Sequence, residues 1–407
     1  MILAAIITIS VAGYFFDLIL EILNLGAQRG DIPAEIAGFY DKEKYLKSLE
    51  YHRVRTRFSF FSGGFSFLIS LAMLAFGGFG YLDSLLRPYF DNQIYLALVF
   101  FGIILVASDI LTLPFQLYST FVIEEKFGFN KTTIGTFIAD KVKGFLIGGV
   151  VGGVLLALLI ILVNKFGPQF WIWFGIVAAV FVIFINMFYT SWILPLFNKL
   201  TILPEGELKS AIQNFSKTVN FPLDNIFVMD GSKRSSKANA FFSGVGAKKK
   251  IVLYDTLITN HSKEELVAVL AHEVGHFKKK HIILSMVLSV VQIFFVLYVL
   301  SLMIFNSELS IALGGSQQAI HLNLIAFAIL FSPISATTGL LMTLLSRKNE
   351  FEADAYARET YSGAALSEAL KKLSVDTLSN LYPHPAYVFF YYSHPPLLQR
   401  LAALRKT

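Results

Sequence analysis

Seven apolar runs, each about as long as a bilayer is thick, set what this chain folds into. They are Ile2 to Leu23, Phe60 to Gly80, Ile94 to Leu117, Phe145 to Val163, Phe170 to Phe197, Ile282 to Phe305 and Leu322 to Leu345. About 20 apolar residues in a helix span the hydrocarbon core. A helix also satisfies its own backbone polar groups where no water is present. The expectation is an α-helical integral membrane protein with seven transmembrane helices. Composition agrees: 55% of 407 residues are hydrophobic, 40 are Phe, and mean hydropathy is +0.62, too apolar for a soluble globule. The first run lacks a basic leader and carries Asp17 and Glu21, so it reads as a retained helix and not a cleaved signal.

Charge placement sets the expected orientation. The net charge is +6, and of 34 Lys and Arg only Arg87 and Lys165 fall in the second and fourth connections. The rest lie in the first, third and fifth connections, the tail or their flanks. By the positive-inside rule this puts the N-terminus outside and the polar segments and C-terminus in the cytoplasm. The basic loops thus read as topology, not as a nucleic-acid surface. The chain has no cysteine, which excludes disulfides, thiolate ligands and thiol catalysis.

The polar stretches divide the chain into 1–197, an N-terminal membrane region; 198–281, a small cytoplasmic α/β domain between helices five and six; 282–346, the last two spans; and 347–407, a helical tail. Within 198–281, Pro204, Glu205 and Glu207 open a helix through about Val219. Strands are expected at 226–229, 237–243 and 251–254. Ser262 and Glu265 make a capping box for the next helix.

That helix carries Ala271-His272-Glu273-Val274-Gly275-His276. Residues four apart share a helix face, so His272 and His276 present two imidazoles to one Zn²⁺, with Glu273 beside them to activate water. Catalytic zinc usually takes three protein ligands. Just beyond the seventh run, on the same membrane face, stand Glu350, Glu352 and Asp354. Glu350 and Asp354 share a face, while Glu352 points away. Glu350 is assigned as third ligand and Asp354 as orienter of a ligand histidine; the alternative is an ordinary charged helix end. In the tail, Ser393-His394-Pro395-Pro396 holds a histidine in a rigid turn, able to donate to an oxyanion or to be a plain loop. Asp17, Glu21 and Asp109 lie in or near spans and suggest a polar interior.

These residues resemble the CAAX prenyl protease type 1 family of integral-membrane zinc metalloproteases. The likeness runs through Leu113-Pro114-Phe115, Phe121 to Lys126, Leu203 to Gly206, Gly231 to Ser236, Asn239 to Phe242, Ile251 to Leu257, the zinc motif, Glu350 to Asp354 and Ser393 to Leu397. The resemblance implies a seven-helix protein enclosing a water-filled chamber. It implies cleavage of prenylated CAAX-type proteins, typically removing the last three residues. It makes His272, His276 and Glu350 ligands of one Zn²⁺ per chain and Glu273 the base, and puts His394 and Arg400 near the active site. It also implies that peptide is added as a strand beside Asn239, Ala240 and Phe241. The chain departs at Val274, where Leu is common, and at Tyr391, where His is frequent. The short connection Asn306 to His321 and the absent cysteines suggest a bacterial member in the cell membrane. The expected partners are a peptide or prenylated protein and the lipid bilayer. A quality-control protease without prenyl preference is the alternative within enzymes, and a transporter is the rival outside them.

Overall fold

The computed structural model describes residues 1–221, 225–243 and 250–405. Among them, six helical stretches are long and apolar enough to cross a membrane: 2–26, 42–75, 93–124, 134–197, 281–303 and 320–376. The 134–197 stretch contains two of the expected runs. Its helices Ile134–Phe166 and Phe170–Phe188 are joined by a tight turn at Gly167–Gln169, where Gly167 has φ +54°. The apolar surface of these helices stays outside: Val287, Val291, Phe295 and Leu302 are all exposed, at near-helical spacing along helix His281–Met303. Only 6–17% of each span's most apolar window is buried inside the protein, and that buried part gathers in two cores, one around Ile160, Phe170 and Phe331 and one around Ile6, Phe100 and Ala326.

Two of the apolar runs end differently from expectation. The Phe60–Gly80 run breaks at Gly77, whose φ of +65° ends helix Lys42–Ala75 and starts Gly78–Leu86. There a Cβ on Gly80 would lie 2.0 Å from the Gly314 backbone, so the chain passes close because both residues lack side chains. The Leu322–Leu345 run does not stop at the membrane edge. One helix runs from Ile320 to Ala357 and carries Glu350 and Asp354 out of the span on a continuous rod.

The polar region forms one mixed sheet with order β1-β2-β4-β3: β1 (Leu200–Ile202), β2 (Ile226–Met229), β3 (Ala240–Ser243) and β4 (Lys250–Tyr254). β1 is absent from the sequence reading; three residues with Thr between two aliphatics are too short for a clear alternation. β2 and β4 are parallel, and β3 pairs antiparallel with β4, Ala240 opposite Leu253 and Phe241 opposite Val252. β3 therefore has one neighbour and forms an edge. The expected 204–219 helix begins later, at Glu207. The expected strand start, Lys237, instead anchors the loop before β3. Its ammonium donates to Glu124 at 2.9 Å and Tyr51 at 3.0 Å, and lies 4.2 Å from the Phe129 ring centre. The edge strand is thereby tied to two of the polar connections, at Tyr51 and at Glu124.

Helix Lys263–Lys278 lies across this sheet. Ser262 and Glu265 form the full capping box. Leu266, Leu270, Ala271 and Val274 bury one face against Ile251, Leu253 and Leu257.

Candidate active site

Gly275 decides how the two site-bearing helices meet. A Cβ there would stand 3.1 Å from Ala353 Cα and 3.1 Å from Tyr356 Cβ. Its absence lets helix Lys263–Lys278 lie close on helix Ile320–Ala357. That contact carries His272 and His276 to Glu350.

Among the described residues, His272, His276 and Glu350 are the one group whose ligating atoms all lie within 4.8 Å of one another. His276 Nε2 is 3.1 Å from His272 Nε2 and 3.2 Å from Glu350 Oε1. His272 Nε2 is 3.6 Å from Glu350 Oε2. Glu350 Oε2 is buried and accepts no hydrogen bond within the protein. Two imidazole nitrogens and a carboxylate thus converge, and with both ring protons on Nδ1 their lone pairs face one another. A tetrahedral cation with one open position suits this donor set.

The surrounding groups orient these side chains. Asp354 Oδ1 lies 2.8 Å from His272 Nδ1. Arg400 grips the same carboxylate twice, Nε to Oδ2 at 2.8 Å and Nη2 to Oδ1 at 2.6 Å. Its Nη1 lies 3.3 Å from Glu350 Oε2. Arg400 is itself buried, and it stays charged because Asp354 and Glu350 overcome the cost of burial. Burial pushes the Glu273 carboxyl above its ordinary range, against the pull of His272 and His276. A raised carboxyl is a competent proton shuttle near neutral pH.

His394 sits at the mouth, largely exposed, with Nδ1 2.9 Å from Ser393 Oγ and Nε2 3.3 Å from Glu350 Oε1. It stands outside the converging group. Arg347 fixes this turn by donating to the Val388 carbonyl at 3.0 Å and the Tyr392 carbonyl at 2.5 Å, which caps helix Pro385–Tyr391. Tyr391 hydrogen-bonds Asp17, and Tyr387 donates to Glu21 at 2.8 Å, so the acids of the first helix dock this tail. Asp109 instead pairs with Lys141 at 2.5 Å.

A cavity of about 820 Å³ opens beside Glu273 and His276, and Phe241, Phe242, Asn349 and Ser393 also line it. The edge strand and the catalytic helix therefore share one space. Asn239 turns its side-chain oxygen to the Ala240 amide at 2.9 Å, and its carbonyl accepts from Tyr254 at 3.0 Å.

Two residues of this cluster escape sequence reasoning. His281 Nδ1 lies 3.1 Å from His276 Nδ1, and His281 Nε2 lies 3.1 Å from Glu352 Oε2. No helical spacing reveals His281, because Lys280 breaks the helix with φ +61°. Glu352 does point away from Glu350, yet it reaches this histidine.

Residues 21–199 match the family described as CAAX prenyl protease N-terminal, five membrane helices, and residues 203–407 match Peptidase family M48. A CAAX prenyl protease 1 homolog of Oryza sativa subsp. japonica is 36% identical, over 99% of this chain and 97% of the relative. The human CAAX prenyl protease 1 homolog is 34% identical, over 92% of this chain and 88% of the relative. The crystal structure of S. mikatae Ste24p superposes with a TM-score of 0.94 at 32% identity, covering 100% of this chain and 99% of that one. With both halves matched, and the fold and sequence shared along the whole length, the chain belongs to the CAAX prenyl protease 1 family of M48 metallopeptidases.

Proposed function

We propose that this protein is a zinc-dependent membrane endopeptidase that cleaves prenylated CAAX-type proteins near their C-terminus. The convergence of His272, His276 and Glu350 beside the half-buried Glu273, which lines the cavity, carries this reading. Those three residues would hold one Zn²⁺, which supplies Lewis acidity toward a peptide carbonyl and toward water. Glu273 takes the proton of the attacking water and passes it to the leaving nitrogen. His394 donates to the developing oxyanion from the turn that Arg347 fixes. Asp354, held by Arg400, keeps His272 in its ligand tautomer. The substrate adds to the free edge of β3, along Asn239, Ala240 and Phe241, through main-chain hydrogen bonds.

We read the 134–197 stretch as two passes, giving seven transmembrane helices around a chamber. The cavity between helices Phe170–Phe188, His281–Met303 and Ile320–Ala357, reaching to Glu273, supports that arrangement. The distribution of Lys and Arg supports an N-terminus outside and an active site and C-terminus in the cytoplasm. A bacterial cell membrane suits the short connection near residues 306–321 and the absence of cysteine.

Mass spectrometry of products from a farnesylated CAAX peptide and its unmodified twin tests the substrate class. Release of the C-terminal tripeptide from the farnesylated form alone supports the prenyl preference. Equal cleavage of both would replace it with a general membrane-protein quality-control role.

A further inference from the structure

His276 is supported in a different way from its fellow ligand His272. His272 meets a carboxylate directly, at 2.8 Å from Asp354. On its Nδ1 side His276 meets a second histidine, and that histidine in turn meets the Glu352 carboxylate. The break at Lys280 makes this possible, because it turns His281, the first residue of helix His281–Met303, back onto His276.

We infer that His281 and Glu352 form a two-residue relay that holds His276 in the tautomer and ring orientation required of a metal ligand. His276 turns Nε2 toward His272 and Glu350, at 3.1 Å and 3.2 Å. A coordinating Nε2 must offer a lone pair, so the ring proton of His276 sits on Nδ1. That N–H faces His281 Nδ1 at 3.1 Å, which must accept it. A neutral His281 that accepts at Nδ1 carries its own proton on Nε2. The Glu352 carboxylate, 3.1 Å from that nitrogen, accepts it. Every proton in the chain is then fixed in one arrangement. The reverse order, with His281 Nδ1 donating, would place the proton of His276 on Nε2 and destroy the ligand. An acceptor-only carboxylate at Glu352 disfavours that reverse order, because it would leave the unprotonated Nε2 of His281 facing a second acceptor. His281 is not itself a ligand: one nitrogen faces His276 and the other faces Glu352. Both are positioning residues, acting on the reaction through His276.

The inference rests on the metal assignment of the proposed function, and one experiment separates the two. Zinc release to a chelator and the visible spectrum of the Co²⁺-loaded form are measured on the full chain in detergent, for wild type, His281→Asn, His281→Phe and Glu352→Ala. The amide oxygen of Asn occupies nearly the position of Nδ1 and restores the acceptor, whereas Phe restores only bulk. The relay is supported if His281→Phe releases zinc roughly 10–100-fold faster than wild type, His281→Asn falls between them, and Glu352→Ala shifts in the same direction with an altered Co²⁺ spectrum. The relay is overturned if Asn and Phe behave alike, or if release and spectrum are unchanged. Glu352 is half-exposed, so Glu352→Ala decides alone should His281→Phe not fold: unchanged release overturns the relay. A wild-type chain that holds no zinc would instead overturn the metal assignment itself.

Discussion

The helix Ile320–Ala357 carries a histidine–carboxylate cluster near each end, and the two are built for different ends. Near its start, His321 Nε2 meets Asp83 Oδ1 at 2.7 Å, and Arg87 Nε meets Asp83 Oδ2 at 2.7 Å. One buried carboxylate has a partner on each oxygen, so the cluster is closed. Near its end, roughly 44 Å away by helical rise, two imidazole nitrogens and the Glu350 carboxylate converge within 4.8 Å, with the Arg400 guanidinium 3.3 Å behind Glu350 Oε2 and no hydrogen bond accepted there. That cluster is open and calls for a cation. Buried histidine next to buried carboxylate is therefore not by itself a metal signature. What separates the two is whether acceptors face donors or face each other.

The largest effect tests the open cluster directly. Glu350→Ala is expected to lose bound zinc and all measurable cleavage, because it removes one of only three converging donors. Metal analysis of the purified variant checks this, and undiminished zinc would mean that the donor set is misassigned. A strong chelator applied to the wild type should abolish activity in the same way, with recovery on adding Zn²⁺.

Glu273→Gln comes next. It should keep zinc and peptide affinity while turnover falls by about 10²–10⁴-fold, since proton transfer is lost and coordination is not. A kcat within about tenfold of wild type would place the base elsewhere. His394→Ala should lower turnover by roughly a hundredfold, about 2.7 kcal/mol, at unchanged metal content. Loss of zinc in that variant would make His394 a ligand, a live alternative given its 3.3 Å approach to Glu350.

The open cluster was largely legible in the sequence and the closed one was not, for a physical reason. Helical spacing of four places His272 with His276 and Glu350 with Asp354, and a regular helix preserves that relation in space. Positive-inside charge then returns both pairs to one membrane face. Asp83 and His321 are 238 residues apart and joined by no periodic rule; only the close pass of Gly80 over Gly314 helps bring their segments together. His281 was hidden for a related reason, since the left-handed Lys280 interrupts the helical count between it and His276. The strand was legible from its alternation and its position before helix Lys263–Lys278, although it begins at Ala240 and not at Lys237. The three-residue β1 left too few positions for any pattern to register.

The closed cluster supplies the smallest expected effect on catalysis, and so the sharpest control on the comparison. Asp83 is fully buried and His321 nearly so. His321→Ala leaves Asp83 with Arg87 alone and one carboxylate oxygen unpaired away from water. Leaving that buried acceptor unsatisfied costs about 1–3 kcal/mol, while Arg87 still balances the charge. The cluster holds helix Gly78–Leu86 against the start of Ile320–Ala357 but touches none of the zinc-facing atoms. The variant should therefore melt at a clearly lower temperature in detergent while keeping full zinc content and near-wild-type kcat in its folded fraction. Thermal melting, metal analysis and turnover on one preparation test all three. If zinc or kcat falls with the melting temperature held, the long helix couples its two ends, and the division into a structural cluster and a catalytic one breaks down.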